Sequence, residues 1–174
     1  MRAVMNDRAR LQRMLDFVAA LARAEAAVGV IPPSAAVEIA EVCRMERYDV
    51  TGIMEAAALA GDFAAPLGNA VTIELTRRNK SSAGFVNWGA TGQDMLDTAL
   101  ALELRAAIDE LMADLDAAIK GFTTLAGRHR RTLSVARTHL QQALPMPFGL
   151  RLAGYAAALA RSRDRLWRLR REAP

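Results

Sequence analysis

The 174-residue sequence contains little cysteine and few aromatic residues. Cys43 is its one cysteine, which excludes a disulfide framework and a cysteine-rich zinc cluster. Aromatic residues make up 5% of the chain, whereas it contains 36 alanines and 21 leucines, a composition that favours helices and argues against an all-β sandwich or barrel. A single cysteine is typical of a reducing compartment, so we expect a cytoplasmic protein.

Long apolar runs are also missing. No stretch approaches the roughly 18 residues of a membrane span. The basic segment Met1–Arg13 is not followed by the apolar core and cleavage site of a signal peptide. We therefore expect a soluble, unprocessed chain without a membrane partner.

Acidic residues are nearly absent from the C-terminal quarter. Residues 128–171 contain 11 arginines and one acid, Asp164, whereas residues 1–127 contain 12 basic and 17 acidic side chains. A basic segment can attract nucleic acid, but no ribonucleoprotein or zinc-finger pattern accompanies this one. We interpret the arginines as lying along the flanks of a long helix, in water or paired to acids on a neighbouring helix, and expect no nucleic-acid partner.

Helical spacing and helix-breaking residues divide the N-terminal part. Leu11, Met14, Leu15 and Val18 recur at helical spacing and predict a first helix that is capped by Asn6 or Asp7 and ends near Gly29. The next boundaries predict a second helix that is capped by Ser34 and runs to about Arg44, and a third helix between Thr51 and Gly61. A turn over Asp62–Asn69 and a short helix from about Ala70 to Arg78 should follow. The last predicted element of this part is a loop over Lys80–Asp94.

Two apolar seams follow this loop. The first seam has alternating spacings of four and three residues and consists of Leu104, Ile108, Leu111, Leu115, Ala118, Phe122 and Leu125. The second seam follows Pro145 and Pro147 and consists of Leu152, Tyr155, Leu159, Ser162, Leu166 and Leu169. They predict two long helices, the first from about Asp97 to Gly127 and roughly 45 Å long. Two helices cannot cover both seams, so further chains, further sequence or both should complete the bundle. We predict an all-α fold with a small helical domain over residues 1–96 and the first part of a long-helix bundle over 97–174.

Two histidines are the side chains that titrate near neutrality. His129 follows the first long helix, where a cation suits the helix C-terminus, so we expect a structural role for it. His139 lies between the two long helices in a polar stretch with Thr138 and Gln141. Taken alone, a histidine in a polar turn is more often structural than catalytic.

A second polar stretch runs over Asn87–Asp94. Its two glycines permit close backbone approach, and Thr91, Gln93 and Asp94 can bind an anion or cap the next helix. Taken alone, this stretch predicts only a capping loop.

Together the two stretches carry a resemblance. FVNWGATGQDMLDT over residues 85–98 and ARTHLQQALPMPFG over 136–149 resemble two signature regions of the fumarase/aspartase superfamily. DRARLQRMLDFVAALARAEAAVGVIP over 7–32 and LGNAV over 67–71 extend the resemblance in the expected order. These residues are most similar to the 3-carboxy-cis,cis-muconate cycloisomerase branch of the superfamily. Adenylosuccinate lyase is the nearest relative of that branch within the superfamily.

The resemblance implies a homotetramer whose long helices form one central bundle, with each active site built from three subunits and without metal or cofactor. The implied activity is lactonisation of a small polycarboxylate, a muconate formed in aromatic degradation through protocatechuate. It assigns substrate carboxylates to Thr138 and Gln141, proton transfer to His139, and hydrogen-bond donation to Thr91 and Gln93 of another subunit. Asn87 would contribute a further donor at the substrate.

The sequence departs from the family at two positions and in length. Asn87 stands where the family usually has His, and Gly92 where it usually has Ser, so one proton shuttle and one hydroxyl donor are lost. Family members are more than twice as long and carry a glycine-serine-serine loop with the catalytic Ser in the additional part. The chain thus looks like an N-terminal portion that is inactive alone. Two alternatives stay open, a fumarate-releasing lyase of the adenylosuccinate lyase type and a non-catalytic helical assembly remnant.

Overall fold

The computed structural model describes residues 1–78 and 80–172, which form two compact units. The N-terminal unit is Met1–Leu104, and the C-terminal unit begins at Arg105. Over the described residues the elements are α1 (Asp7–Ala27), α2 (Pro33–Val42), a 3₁₀ turn (Met45–Arg47), α3 (Val50–Ala60), α4 (Ala64–Arg78), α5 (Lys80–Ala83), α6 (Gly92–Arg128), β1 (Leu133–Thr138), β2 (Gln141–Pro147) and α7 (Phe148–Glu172). The predicted all-α fold with long C-terminal helices is confirmed. The predicted domain boundary between residues 96 and 97 stays a prediction, since helix α6 runs through both units.

Helix α1 begins where the sequence predicts. The side chain of Asn6 caps it by accepting a hydrogen bond of 2.9 Å from the Ala9 backbone N–H, one of the amides without a partner inside the helix. The helix ends at Ala27, and Gly29 follows with a left-handed φ of 78°. The predicted first helix is therefore confirmed at both ends.

The predicted cap of the second helix is wrong. Helix α2 begins at Pro33 without a side-chain cap, because the fixed φ of proline suits the first helical position and proline has no N–H that needs a partner. Ser34 therefore lies inside the helix. Helix α3 begins one residue before Thr51 and is capped by Asp49, whose Oδ1 accepts from the Thr51 N–H at 3.1 Å. Its predicted end is confirmed, since Gly61 follows with φ of 69°.

The predicted turn over Asp62–Asn69 is mostly helix. Asp62 accepts hydrogen bonds from the Ala64 and Ala65 N–H groups at 2.9 and 3.2 Å, so helix α4 begins at Ala64 rather than near Ala70. Pro66 falls in the first helical turn, where its missing N–H leaves no internal hydrogen bond unmade. The proline therefore opens this helix instead of delaying it.

The predicted loop over Lys80–Asp94 is shorter than expected. Residues Lys80–Ala83 form helix α5, and helix α6 already begins at Gly92. Helix α6 has 37 residues, which corresponds to about 55 Å at about 1.5 Å per residue. The connecting segment therefore spans only residues 84–91.

The core of the N-terminal unit is apolar and lies between α1, α2, α4 and the start of α6. It contains Leu11, Met14, Leu15, Val18, Ile39, Val42, Leu67, Val71, Leu75, Met95 and Ala99, all buried. Cys43 is also buried, which raises the pKa of its thiol to about 12 and makes it a packing residue, as predicted. None of the helices in the described ranges combines the length and the hydropathy that a membrane span requires.

One ion pair crosses this unit from α1 to α6. Arg10 Nε and Nη2 lie 3.1 and 3.0 Å from Oε2 of Glu103, whose side chain is 3% exposed. The Arg10 side chain remains 43% exposed. The carboxylate of Glu103 therefore depends on one arginine for compensation of its buried charge.

Replacing Arg10 with methionine should lower the free energy of unfolding by about 2–3 kcal/mol, because Glu103 is left as a buried charge without its partner. The double variant Arg10→Met, Glu103→Leu should regain most of that loss, since an apolar pair needs no compensation. Urea denaturation followed by circular dichroism measures both variants. Equal destabilisation in the single and double variants would show that the loss comes from packing and not from the unpaired charge.

In the C-terminal unit, α6 and α7 form an antiparallel pair. Asp109 receives two hydrogen bonds from Arg170, at 2.7 and 3.1 Å, and Asp116 receives one from Arg163 at 3.0 Å. Both partners of the second pair lie seven residues from those of the first, the repeat of a coiled-coil seam. The Arg170 guanidinium lowers the pKa of Asp109. The interpretation of the C-terminal arginines as flanking residues paired to acids is thus confirmed for Arg163 and Arg170.

Part of each seam remains uncovered in this chain. Ile108 and Leu152 are buried, but the large apolar side chains that stay at least 40% exposed on the two helices include Leu104, Leu111, Leu125, Tyr155, Trp167 and Leu169. An apolar surface of this kind usually marks an interface.

Candidate functional site

The six candidate residues lie in two places. Asn87, Thr91 and Gln93 belong to the N-terminal unit, between α5 and the first turn of α6. Thr138, His139 and Gln141 belong to the C-terminal unit, at the connection between α6 and α7.

The α6–α7 connection is a two-stranded antiparallel hairpin that the sequence analysis missed. Strands β1 and β2 are joined by the two residues His139 and Leu140, with φ of 44° and 62°. Two consecutive positive φ values at the centre of a two-residue connection are typical of a type I′ turn, for which Asn-Gly is the usual sequence. Neither residue here is of that kind, so the tip holds two side chains in a backbone region that ordinary residues avoid.

The hairpin brings Thr138 and Gln141 directly opposite each other. They are the last cross-strand pair before the turn, and side chains of such a pair stand on the same face of the ribbon, with Cβ atoms about 5 Å apart. Thr138, His139 and Gln141 are all exposed. Within the described part of the chain, none of the three side chains makes a hydrogen bond. A hydroxyl, an amide and an imidazole are thus available together at one tip.

A bulge separates this tip from the base of the hairpin. Val135 pairs with Pro145 and Arg137 with Gln142, so Ala136 on β1 faces both Ala143 and Leu144 on β2. A bulge bends the ribbon and increases its twist, and such features are common beside active sites. The direction in which the hairpin tip points therefore depends on the bulge as well as on the two helices that flank the hairpin.

His129 does not belong to this tip. Its Nδ1 lies 3.2 Å from the Thr132 hydroxyl, its ring packs edge-on against Phe148 with 5.6 Å between centroids, and its backbone N–H donates to the Leu125 carbonyl. These contacts close the C-terminal end of α6 and hold the start of α7. They agree with the structural role that the sequence predicts.

Asn87 and Thr91 line one cavity in the N-terminal unit. Its volume is about 310 Å³, and its other polar lining residues include Asp62, Asn69 and Thr72. Asn87 has a left-handed φ of 54°, and its Oδ1 is buried and accepts no hydrogen bond within the described residues. A buried amide oxygen without a donor is uncommon, and it indicates a place where a ligand or water donor is expected.

Asp94 organises the start of α6. Its Oδ2 accepts hydrogen bonds from the Thr91 backbone N–H and hydroxyl at 2.7 and 2.9 Å, the carboxylate half of a capping box. These hydrogen bonds hold the pKa of Asp94 below its ordinary value. The Thr91 hydroxyl therefore already donates to a protein group.

Gln93 is the second residue of α6 and does not line the cavity. Its Nε2 donates to Asp97 Oδ1 at 2.6 Å, which leaves the second N–H of the amide for another acceptor. The structure therefore joins Asn87 and Thr91 in one cavity but not Gln93.

Asn69 and Asp62 also line the cavity, although the sequence did not predict either as a site residue. Asn69 is in the LGNAV run that supported the resemblance, but only the packing of α4 against the loop brings it beside Asn87. Gly92 also lines the cavity, and a Cβ added there would lie 3.0 Å from the Ala64 Cβ. The absence of a side chain at residue 92 thus permits close approach of α6 to α4.

No metal site is evident in the described ranges, where no group of three or more histidine, cysteine or acidic residues is arranged to hold an ion. The candidate residues offer instead hydrogen-bond donors and one imidazole. Such groups suit the binding of carboxylates and the transfer of a proton.

Known proteins match the chain along nearly its whole length. The Lyase family matches residues 1–173. The 3-carboxy-cis,cis-muconate cycloisomerase of Bradyrhizobium diazoefficiens is 56% identical over 172 residues, which are 99% of this chain and 38% of that protein. Among solved structures, the 3-carboxy-cis,cis-muconate lactonizing enzyme from Pseudomonas putida matches with a TM-score of 0.94 and 44% identity, covering 99% of this chain and 39% of that one.

A fumarate lyase from a Mesorhizobium species is also similar, with a TM-score of 0.84 and 30% identity over 96% of this chain and 38% of that one. The chain therefore spans about two fifths of the length of the relatives that it matches.

Proposed function

The chain belongs to the lyase family of the fumarase/aspartase superfamily, and we propose on this premise that the intact protein is a 3-carboxy-cis,cis-muconate cycloisomerase. The identity to the Bradyrhizobium cycloisomerase across nearly the whole chain carries the proposal. The polar hairpin tip and the Asn87 cavity support it, because they offer donors and an imidazole for a polycarboxylate.

The proposed reaction is an isomerisation. A carboxylate oxygen of the muconate forms a C–O bond to a carbon of a C=C double bond, and the π electrons move toward the neighbouring carboxylate to give an enediolate. The adjacent carbon then takes one proton, which leaves a γ-lactone. Such a reaction needs donors placed where the enediolate charge develops and an acid placed at the carbon.

We assign these tasks first to the hairpin tip. Thr138 and Gln141 would hold substrate carboxylates from their shared face, and His139 beside them would transfer the proton. The two-residue turn supports this assignment, since it places the imidazole between the two donors in sequence, and none of the three side chains bonds to another described residue.

The other donors would come from the loop of a second subunit. Gln93 keeps one free amide N–H, and Asn87 presents its amide in the cavity. The hydroxyl of Thr91 would have to leave Asp94 before it could donate to a substrate carboxylate. Substrate binding at this loop should therefore weaken the capping contact at the start of α6.

The assembly we propose is a homotetramer with a central helix bundle. The exposed apolar residues on α6 and α7 support it, because neighbouring chains would remove them from water. Aromatic catabolism in the cytoplasm is the proposed setting, in agreement with the single, buried thiol.

Turnover of 3-carboxy-cis,cis-muconate tests the proposal. The intact protein, expressed from its own reading frame, should remove the conjugated diene, which is followed by ultraviolet absorbance. Proton NMR should show one γ-lactone isomeric with the substrate and no fumarate. Boiled protein is the control for spontaneous closure.

A fumarate-releasing lyase is the second candidate, and the similarity to the Mesorhizobium fumarate lyase favours it over other reactions. Release of fumarate from adenylosuccinate, with the muconate left intact, would establish it and overturn the cycloisomerase. Failure with both substrates would favour the third reading, a helical assembly protein without catalysis.

A further inference from the structure

A second cavity in the N-terminal unit also borders the Asn87–Gly92 loop. Its volume is about 650 Å³, and its lining residues come from α1, the segment after α1, the loop and the first turns of α6. They are Phe17, Leu21, Glu25, Val30, Trp88, Gly89, Ala90, Asp94, Asp97 and Thr98. We call this cavity the Glu25 pocket. It is not part of the proposed reaction.

Glu25 is the unusual residue in it. The residue is 9% exposed, and its Oε2 is fully buried without a hydrogen-bond partner in the described part of the protein. That oxygen loses contact with water and gains no hydrogen bond from the described residues, which is costly for an ionised carboxylate unless a donor or a cation reaches it. Burial accordingly raises the pKa of Glu25.

Two further carboxylates line the same pocket. Asp94 accepts two hydrogen bonds from Thr91 and has a lowered pKa, so it is held in its charged form. Asp97 accepts one hydrogen bond from Gln93. None of the described lining residues is basic. The pocket therefore combines three acidic groups with no cation of its own.

The walls are apolar and aromatic. Phe17, Leu21 and Val30 supply aliphatic and ring surface, and Trp88 is 53% exposed. An indole face attracts cations, most often guanidinium groups. The three carboxylates do not converge as a metal site would, whereas the five N–H donors of a guanidinium suit acceptors that are spread apart.

From these observations we propose that the Glu25 pocket binds an arginine side chain, with the guanidinium at Glu25 and Asp97 and the aliphatic stem along Phe17 and Trp88. A second copy of this chain is a suitable source, because residues 128–171 contain 11 arginines, of which Arg161 and Arg168 are exposed and make no side-chain bond among the described residues. A free arginine derivative shares the same chemistry.

Arginine amide and citrulline amide are the probes, since they differ in charge but hardly in shape. Arginine amide should change the tryptophan fluorescence of the chain saturably in the millimolar range, and citrulline amide should not. The Trp88→Phe variant should lose the response, which assigns it to the pocket. A response to both amides, or to neither, overturns the proposal.

Two variants test the acidic residues, with a matched control. Glu25→Gln should weaken arginine amide binding at least 10-fold, and Asp97→Asn should weaken it less, while Glu55→Gln removes one exposed charge from α3 and should leave binding unchanged. Glu25→Gln should unfold at the same or a higher temperature, since it removes an uncompensated carboxylate. Unchanged affinity in both pocket variants would overturn the proposal even if the fold were perturbed.

The source of the arginine is resolved by sedimentation. If a second copy supplies it, Glu25→Gln should raise the dissociation constant of self-association and arginine amide should compete with assembly. If the assembly is unaffected while arginine amide still binds, the ligand is a free arginine derivative. None of these measurements depends on muconate turnover, so their outcome is independent of whether the proposed function is correct.

Discussion

Exchange of His139 for asparagine should lower kcat for muconate lactonisation in the intact protein by about 10²–10⁴-fold, the usual contribution of a positioned acid or base. Among the six candidate residues, only His139 carries a side chain of the kind that serves as a general acid or base. Asparagine can make hydrogen bonds but cannot transfer the proton. It also tolerates the φ of 44° at this position, so the turn should keep its conformation.

Leu140→Gly is the matched control at the same turn. It removes a fully exposed side chain and relieves the φ of 62° without touching the imidazole. Its turnover should stay within a few-fold of the parent. If His139→Asn retained full turnover, the imidazole would have no part in the proton transfer. If Leu140→Gly lost as much as His139→Asn, the loss would be assigned to the conformation of the turn and not to the imidazole.

Gly149→Ala should cost roughly 3 kcal/mol or more in the free energy of unfolding of the C-terminal unit, at the upper end of overpacking effects. A Cβ on Gly149 would overlap the Ala126 carbonyl oxygen and would lie 2.9 Å from both the N and Cα of Arg130. All three are backbone atoms, so no side chain can rotate away. The added methyl would also strain the hydrogen bond of 3.0 Å from the Gly149 N–H to the His129 carbonyl.

Gly154→Ala tests the same substitution on the same helix without the contact. Apart from its chain neighbours and the adjacent backbone of its own helix, no atom of the described residues lies within 4 Å of a Cβ there, so alanine should stabilise α7 by about 0.5–1 kcal/mol. Urea titration with circular dichroism detection compares the two variants. Equal effects would mean that helix propensity, and not the approach of the α6 backbone, decides what residue 149 must be.

The sequence predicted those elements whose signals are local. Asn6 and the spacing of Leu11 to Val18 define α1, and the seam through Leu152 defines α7 after two prolines. The predicted start of α4 was wrong, because Pro66 and Gly68 suggested a turn, although proline is compatible with the first turn of a helix. Residue type alone does not say which side of a helix start a proline occupies.

The hairpin was missed for a different reason. A two-residue β-turn is usually recognised by Asn-Gly or a similar pair, and His139-Leu140 carries no such signal. The strands pair although their turn residues disfavour it, which only the tertiary setting between α6 and α7 can impose. Such conflicts between local preference and structure are expected at functional sites.

Part of the lining of the Asn87 cavity could be predicted from the sequence. Asn87 and Thr91 could be named because they lie in one sequence stretch, and both line one cavity. Asn69, Asp62 and the buried oxygen of Glu25 could not, because their positions depend on how α1 and α4 pack against a loop distant in sequence. Periodicity shows which face of a helix is buried but not which other segment covers it.

The two-residue connection at His139-Leu140 also limits how this protein can change by insertion or deletion. Successive residues of a strand point to opposite faces, so an extra residue between Thr138 and Gln141 that shifted the strand pairing by one would place one of them on the opposite face of the ribbon. A substitution at the tip leaves the pairing of Thr138 with Gln141 in place, whereas such a shift would separate the two side chains. Sequences that keep this hairpin should therefore differ in which residues stand at positions 138–141, while the number of residues between the two strands stays the same.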